Sequence, residues 1–216
     1  MKLISLLEKL EYTCLQRSTD QEVKNVIYDS RKVEEGSLFV CIRGAVVDGH
    51  KFVPDVVAKG AKVLIVEEAV EAPEDVTVIL VKDTRYAMAF ISAAYFGYPA
   101  EKLKTIGITG TKGKTTTTYM VKSILENAGY KVGLIGTIEA IIGDKVIPAK
   151  NTTPESYVIQ EYFHEMVEAG CDCVVMEVSS QGLMLHRTQG FIFDFGIFTN
   201  IETDHIGQNE HKYIEH

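Results

Sequence analysis

The sequence lacks the features that mark secreted and membrane-bound proteins. Its 216 residues contain no tryptophan, and no apolar run approaches the roughly 18 residues that a membrane-spanning helix needs. The first residues also lack the basic start and the apolar middle of a signal peptide. We therefore expect a cytoplasmic protein that does not act in a membrane.

Two further absences narrow the class of function. The four cysteines, Cys14, Cys41, Cys171 and Cys173, have none of the spacings that are typical of zinc sites, so ordinary thiols are favoured over a metal or redox site. The net charge is −8 and no long basic block is present, which argues against a nucleic-acid surface. Any specificity for phosphate must therefore be local, built from backbone amides and a few cations.

One stretch, residues 104–118, has the pattern of a phosphate-binding loop. Residues 105–109 are apolar and β-branched enough for a buried strand, and an amphipathic helix follows from about Lys114. Gly110 and Gly113 let the backbone turn sharply between them, so that amides and the helix dipole favour an anion there. Lys114 can then reach the β- and γ-phosphates of a nucleotide, and the Thr115 hydroxyl can bind the accompanying Mg²⁺.

This stretch departs from the general P-loop pattern at Ile108, where that pattern has a glycine. The alternative interpretation is a strand-turn-helix connection that binds nothing. The order of strand, glycine turn, Lys-Thr pair and helix favours a nucleoside triphosphate site.

Short apolar strands alternate with helical stretches before this loop, which predicts a mostly parallel sheet. Gly97-Tyr98-Pro99 breaks the helix expected over residues 84–96. We expect an α/β fold in two parts. Residues 1–98 would form a small amino-terminal α/β domain, and residues 99–216 a parallel-sheet domain of the P-loop ATPase type.

The segment Asn151-Thr152-Thr153-Pro154 admits two interpretations. Thr153 suits the cap, and Pro154 the first turn, of a helix over residues 155–169. The same segment could instead be a polar loop at the carboxyl edge of the sheet, where ligands of such folds collect.

Two residues after the loop are candidate metal ligands. Glu177 ends an apolar strand, where a carboxylate is costly unless it meets a cation, and in P-loop enzymes that cation is Mg²⁺. A salt-bridged structural acid is the alternative. His205 follows a strand over residues 193–199 and lies beside an acidic residue, so it is a candidate second ligand, although such a histidine is more often structural.

Taken together, these motifs resemble the Mur ligases, ATP-dependent enzymes that join amino acids to a nucleotide-linked sugar peptide. The resemblance covers essentially the whole chain. The matching segments are Asp29-Ser30-Arg31, residues 36–40, 44–50, 110–118, 151–154 and 177–180, His186-Arg187, Thr199-Asn200 and Asp204-His205. Asp-Ser-Arg together with Asn-Thr-Thr-Pro indicates the family member that adds the third residue of the cell-wall stem peptide.

The resemblance implies a role for each matching residue, with ATP and Mg²⁺ as cofactors. The implied nucleotide-binding residues are Gly110, Thr111, Lys112, Gly113, Lys114, Thr115 and Thr116. The implied metal ligands are Thr115, Glu177 and His205, and Lys114, Glu177 and His205 are the implied catalytic residues. The implied substrate-binding residues are Ser30, Ala45, Val46 and Val47 in a UDP-sugar-binding first domain, and Thr152, Thr153, Ser179 and Arg187 in the second.

The implied partners are UDP-N-acetylmuramyl dipeptide and a free amino acid, with no nucleic acid and no membrane, on a monomeric protein. ATP would phosphorylate the terminal carboxylate of the dipeptide, and the incoming amine would displace phosphate from the acyl phosphate. Gln181 departs from the family, in which many relatives have histidine. The family's modified lysine and carboxyl-terminal domain would follow His216, so this chain by itself is expected to be inactive.

Two other functions remain open from the sequence. The chain could be a UDP-sugar-binding module without turnover, because Ser30 and the loop over residues 44–50 lie in the first domain. It could also be a P-loop ligase that acts on a different carboxylate, such as a folate or an amino-acid polymer, although such an enzyme would not need a UDP loop.

Overall fold

The structure is a computed structural model, and it describes residues 1–44 and 47–202. The chain divides into two compact units, Met1–Tyr95 and a second unit that begins at Phe96. The assignment of a separate ligand to each unit stays a prediction. In the described part of the chain, no helix combines the length and the apolar character needed to cross a bilayer.

The described residues of the first unit contain five strands and three α-helices. Their bounds are α1 Leu3–Leu6, β1 Thr13–Gln16, β2 Asn25–Ile27, β3 Ser37–Val40, α2 Val53–Ala58, β4 Val63–Val66, β5 Thr77–Leu80 and α3 Thr84–Tyr95. The strand order is β1-β5-β4-β3-β2, with β2 to β5 parallel and β1 antiparallel to β5. Apolar side chains such as Phe39, Val56 and Leu64 form its core.

The described part of the second unit is a six-stranded sheet with three helices. Their bounds are β6 Lys104–Thr109, α4 Lys114–Asn127, β7 Val132–Ile135, β8 Glu139–Ile142, β9 Lys145–Pro148, α5 Ser156–Glu168, β10 Cys173–Glu177, α6 Ser180–Met184 and β11 Phe195–Phe198. The order is β11-β6-β10-β7-β8-β9, with the first four parallel and the β8–β9 hairpin antiparallel. The expected α/β fold with parallel-dominated sheets is confirmed.

The alternation of side chains along β10 sorts its residues between two helices. Val174 and Met176 pack in the cluster that contains Phe163 of α5, whereas Val175 packs with Leu125 of α4. Because neighbouring strand residues point to opposite faces, Glu177 falls on the same face as Val175. The period of the strand therefore directs the Glu177 carboxylate toward α4, the helix that begins at the glycine loop.

The four parallel strands of the second unit end at one edge of the sheet. Glu177 of β10 is in register with Ile108 of β6, and Phe198 of β11 is in register with Thr109. The segments that follow these strands therefore lie side by side, as parallel topology requires. This carboxyl edge carries the residues described below.

Two elements were not expected from the sequence. Strand β1 is polar and half exposed, and it is held by tertiary contacts: the Gln16 amide donates to the Pro73 and Val76 carbonyls at 2.6 and 2.8 Å. Helix α6 has only five residues, and the Ser179 hydroxyl caps it by accepting from the Gly182 N–H at 3.0 Å. Both are too short to leave a periodic pattern in the sequence.

Candidate functional site

The glycine loop after β6 has the backbone shape that the sequence predicts. Gly110 and Gly113 have φ angles of 135° and 82°, which residues that carry a side chain rarely adopt. Helix α4 begins at Lys114, and its first backbone bond at this end runs from the Thr117 N–H to the Gly113 carbonyl at 3.0 Å. The amides of Lys114, Thr115 and Thr116 therefore have no intrahelical acceptor and can face an anion.

Lys114 lies across this loop. Its ammonium group donates to the Gly110 and Thr111 carbonyls at 2.7 and 3.1 Å. These carbonyls hold the cation over the turn, within reach of any anion that the loop amides bind. An anion that replaces one carbonyl as a partner would leave the lysine in the same region.

Thr199 and Asn200, which follow β11, form hydrogen bonds with the backbone of the glycine loop. The Lys112 N–H donates to the Asn200 side-chain oxygen at 3.0 Å, and the Asn200 amide returns a hydrogen bond to the Lys112 carbonyl at 3.1 Å. The Thr199 hydroxyl also donates to the Lys112 carbonyl at 2.8 Å, and the Thr111 N–H donates to the Asn200 carbonyl at 3.1 Å. Two of the seven predicted nucleotide-binding residues, Thr111 and Lys112, therefore use their amides to anchor the loop.

The Glu177 carboxylate is completely buried and accepts three hydrogen bonds. The Thr115 hydroxyl donates to Oε2 at 2.9 Å, the Thr137 hydroxyl donates to Oε2 at 3.0 Å, and the Thr137 N–H donates to Oε1 at 2.9 Å. No cationic side chain among the described residues forms an ion pair with it, so the alternative of a salt-bridged acid finds no support there. A buried carboxylate with neutral partners alone is unusual.

Thr115 and Glu177 together present the donor set that Mg²⁺ prefers, a carboxylate and a hydroxyl oxygen. Glu177 has no cationic side chain as a partner among the described residues, and this observation fits a divalent ion at the site. Across residues 1–44 and 47–202, no group of three or more His, Cys, Asp or Glu side chains could by itself hold a metal ion. Phosphate oxygens and water would therefore complete the coordination, as they commonly do for Mg²⁺.

A tyrosine one helical turn beyond Thr115 adds to the polar environment. The Tyr119 hydroxyl donates to Glu139 Oε1 at 2.8 Å. Burial, this hydrogen bond and the negative charges of Glu139 and Glu177 raise the pKa of Tyr119 to about 12. The phenol therefore stays protonated and contributes a fixed donor on the α4 face.

The polar loop before α5 lies at the carboxyl edge, and the capping interpretation of Thr153 is wrong. The cap of α5 is Glu155, and Pro154 precedes the helix. Thr153 is instead buried, where its hydroxyl donates to the Glu177 carbonyl at 3.1 Å and accepts from the Ser179 N–H at 2.9 Å. Thr153 therefore ties this loop to the end of β10.

Arg187 reaches the same loop from the segment after α6. Its guanidinium donates to the Thr153 carbonyl at 3.0 Å and to Glu155 Oε1 at 2.8 Å. The two charged side chains are 12% and 22% exposed, so their attraction is only partly screened by solvent. The buried Nε of Arg187 has no acceptor among the described residues.

A cavity of 330 Å³ brings the four predicted substrate-binding residues of the second unit together with Lys114. It is lined by Lys114, Thr137, Lys150, Asn151, Thr152, Thr153, Ser179, Ser180, Gln181 and Arg187. Three of these residues, Lys114, Lys150 and Arg187, are cations, and none is a carboxylate. The cavity therefore suits an anionic ligand.

In the first unit, Ser30 and Val47 are the described candidates. Ser30 follows β2, and Val47 follows β3, where its carbonyl accepts from the Gly44 N–H at 2.9 Å. Because β2 and β3 are parallel neighbours, both residues lie at one edge of that sheet. Ala45, Val46 and His205 lie outside the described residues.

The sequence analysis missed Thr137 and Lys150. Both line the cavity, and Thr137 binds Glu177 directly. Thr137 follows β7, so the rule that ligands collect beyond parallel strand ends could have found it. Lys150 directly precedes the predicted polar loop, but nothing in its sequence context distinguishes it from a solvated surface lysine.

Comparison with known proteins gives matches over nearly the whole chain. Residues 108–216 match the family model described as Mur ligase middle domain, and residues 22–96 match the one described as Mur ligase family, catalytic domain. The chain is 52% identical, over its full length, to the UDP-N-acetylmuramoyl-L-alanyl-D-glutamate--2,6-diaminopimelate ligase of Clostridium perfringens, of which it covers 44%. It therefore spans less than half the length of this curated relative.

Solved structures share the fold. A structure of a UDP-N-acetylmuramoyl-L-alanyl-D-glutamate--2,6-diaminopimelate ligase has a TM-score of 0.79 at 22% identity, over 96% of this chain and 42% of that one. The MurF ligase of Thermotoga maritima, solved in complex with ADP, has a TM-score of 0.55 at 21% identity, over 85% of this chain and 39% of that one.

Proposed function

This chain belongs to the Mur ligase family, and we propose that the protein containing it is an ATP-dependent ligase of peptidoglycan synthesis. The proposed substrates are ATP, UDP-N-acetylmuramyl dipeptide and a free amino acid that becomes the third residue of the stem peptide. The name of the Clostridium perfringens relative supports 2,6-diaminopimelate as that amino acid. Among the described residues, the pairing of Thr115 with Glu177 at the glycine loop carries the proposal.

We assign the nucleotide to the loop from Gly110 to Thr116. The first-turn amides of α4 would bind phosphate oxygens, and Lys114 would shift from its two loop carbonyls to the β- and γ-phosphates. Thr115 and Glu177 would hold Mg²⁺, which neutralises the phosphate charge when bound. His205 is proposed as a further Mg²⁺ ligand on the family resemblance.

We assign the sugar-peptide substrate to the cationic cavity and to the first unit. Thr152, Thr153, Ser179 and Arg187 would contact the diphosphate sugar and the peptide. Ser30, Ala45, Val46 and Val47 would contact the uridine diphosphate. The Thr153 hydroxyl is hydrogen-bonded to the Glu177 carbonyl and the Ser179 N–H, so the contribution of this residue would be to shape the cavity wall.

The chain's own residues would act chiefly by bringing two anions together. The carboxylate of the dipeptide must approach the γ-phosphate closely, and the repulsion between these groups opposes the reaction. Lys114, Lys150 and Arg187 would lower that repulsion from the cavity wall. Transfer of the γ-phosphoryl group would give an acyl phosphate, and attack by the amine would then form the amide and release phosphate.

The test uses the full-length gene product that contains this chain. Phosphate release is measured with ATP, Mg²⁺, UDP-N-acetylmuramyl dipeptide and diaminopimelate, and each component is omitted in turn. We expect phosphate only from the complete mixture, and lysine in place of diaminopimelate should support a much lower rate. Phosphate release that does not require the sugar peptide would contradict the proposal.

A further inference from the structure

Thr137 occupies the space between the buried carboxylate and the polar loop. It follows β7, and it contacts Glu177 through both its backbone and its side chain, with its N–H 2.9 Å from Oε1 and its hydroxyl 3.0 Å from Oε2. The same hydroxyl lies 3.1 Å from the Thr152 hydroxyl. One residue therefore touches the proposed metal ligand and a residue of the substrate cavity.

The number of hydroxyl protons fixes the direction of these hydrogen bonds. A threonine hydroxyl has a single proton, and an ionised carboxylate can only accept. The Thr137 proton must therefore go to Glu177, and the Thr152 hydroxyl must donate to Thr137. The result is a chain of donors that runs from Thr152 through Thr137 to Glu177 Oε2.

The backbone beside Thr137 closes the other side of the carboxylate. A Cβ placed on Gly136 would lie 2.5 Å from Glu177 Oε1, a distance that real Cβ atoms essentially never show. The carboxylate is thus packed against the Gly136 backbone and held by the two Thr137 donors. Its plane is fixed by contacts to the residues after β7, independently of the Thr115 hydroxyl.

We propose that Thr137 is a positioning residue that sets the orientation of the Glu177 carboxylate for the metal-bound nucleotide and links it to the substrate cavity through Thr152. This inference rests on the proposed function, because it assumes that Glu177 binds the metal. Charge-assisted hydrogen bonds to a buried carboxylate are strong, and residues that orient a metal ligand affect metal affinity strongly. Loss of the Thr137 hydroxyl lets the carboxylate turn within its pocket.

The first test compares Thr137→Val, which keeps the N–H and the volume, with Thr137→Ser, which keeps the hydroxyl. Binding of a non-hydrolysable ATP analogue to the full-length gene product is measured by calorimetry, with Mg²⁺ and with EDTA. The matched control is Thr105→Val. Thr105 is buried at the opposite end of the same sheet, and its substitution by valine also removes hydroxyl hydrogen bonds, in this case with Asp194.

We expect Thr137→Val to weaken binding in Mg²⁺ about tenfold. Binding in EDTA should stay unchanged, and Thr137→Ser should restore the wild-type affinity. Thr105→Val should bind as the wild type does, which separates positioning from a general loss of stability. Equal affinity of Thr137→Val and wild type for the nucleotide in Mg²⁺ would overturn this inference but would leave the proposed function unaffected. A wild-type protein that shows no Mg²⁺-dependent nucleotide binding would remove the proposed function and this inference with it.

The link to Thr152 has its own test. Thr152→Val removes the donor to Thr137, and nucleotide affinity in Mg²⁺, without sugar peptide, is measured for both single variants and the double variant. We expect Thr152→Val to weaken nucleotide binding in the wild type and to have no effect in the Thr137→Val background. In that background the chain of donors from Thr152 to Glu177 is already interrupted. The same loss in both backgrounds would reject the link and leave only the positioning role.

Discussion

The Thr115 hydroxyl donates a hydrogen bond to Glu177 Oε2 at 2.9 Å across 62 residues of sequence. Thr115 is in the first turn of α4, and Glu177 is the last residue of β10. The two oxygens meet because β6 and β10 are parallel neighbours and α4 covers the face on which Glu177 lies. This pair is the basis of the proposed metal site, and it leads to the first prediction.

Glu177→Gln removes the negative charge and keeps the size of the side chain. We expect it to weaken Mg²⁺-dependent nucleotide binding at least about tenfold, because a neutral amide is a poor ligand for a hard cation. Calorimetry with and without Mg²⁺ measures the effect. Glu168→Gln, which removes an exposed carboxylate on the same unit, is the matched control and should bind normally. Normal Mg²⁺-dependent binding by Glu177→Gln would exclude Glu177 as a metal ligand.

A comparison of two glycines with positive φ, one in the glycine loop and one after α4, provides a second prediction. Gly110 has a φ of 135°, and a Cβ there would lie 2.8 Å from the Asn200 carbonyl oxygen; Gly129 has a φ of 93° and open space around it. Gly129→Ala should cost about 1 kcal/mol of folding free energy from backbone strain alone. Gly110→Ala should cost about 1–3 kcal/mol more, because the loop must also move.

Urea unfolding measures both costs, and nucleotide binding separates the variants further. Gly110→Ala should lose affinity because the displaced loop cannot present its amides, whereas Gly129→Ala should retain it. Equal losses of stability and unchanged binding in both variants would show that the contact with Asn200 does not shape the loop.

The Arg187–Glu155 pair gives a third prediction. Arg187→Met should destabilise the fold by about 2 kcal/mol, because it removes the ion pair that the arginine forms with the largely buried Glu155 carboxylate. Glu155→Gln combined with Arg187→Met should recover part of that loss, as a urea-unfolding double-mutant cycle would show. In the exposed pair of Lys145 and Glu165, Lys145→Met should cost under about 1 kcal/mol. Additive losses at Arg187 and Glu155 would contradict the coupling.

Asp194 gives a prediction about pH. The Thr105 N–H and the Lys104 ammonium group hold the pKa of Asp194 below its ordinary value. A lowered folded-state pKa stabilises the fold above the unfolded-state pKa, and this contribution is lost as the pH falls through the folded-state pKa. Asp194→Asn should therefore cost about 1 kcal/mol at pH 7, and the difference from wild type should shrink below about pH 4.

Urea unfolding at a series of pH values checks this prediction. Asp144→Asn, in the exposed turn between β8 and β9, is the control and should leave stability close to wild type throughout. A loss in Asp194→Asn that does not change with pH would mean that the shape of the side chain matters rather than its charge.

The local chemistry of the candidate site was predictable from the sequence. Gly110, Gly113 and the Lys-Thr pair have few uses other than a phosphate-binding turn, because their backbone freedom, charge and hydroxyl group fit that role at that spacing. Short apolar runs between helical stretches predicted the strands, and the expected parallel α/β fold is confirmed. Glu177 was predicted to be a metal ligand from the cost of ending a buried strand with a carboxylate, and its role stays a prediction.

Only the tertiary structure showed which residues share a contact. Thr137, Thr153 and Asn200 are ordinary polar residues, and their importance comes from neighbours that are 24 to 88 residues away in the chain. Thr153 looked like a helix cap because local patterns record only local hydrogen bonds. The order of the strands decided the outcome: β10 lies between β6 and β7, which brings three loops distant in sequence to one edge of the sheet.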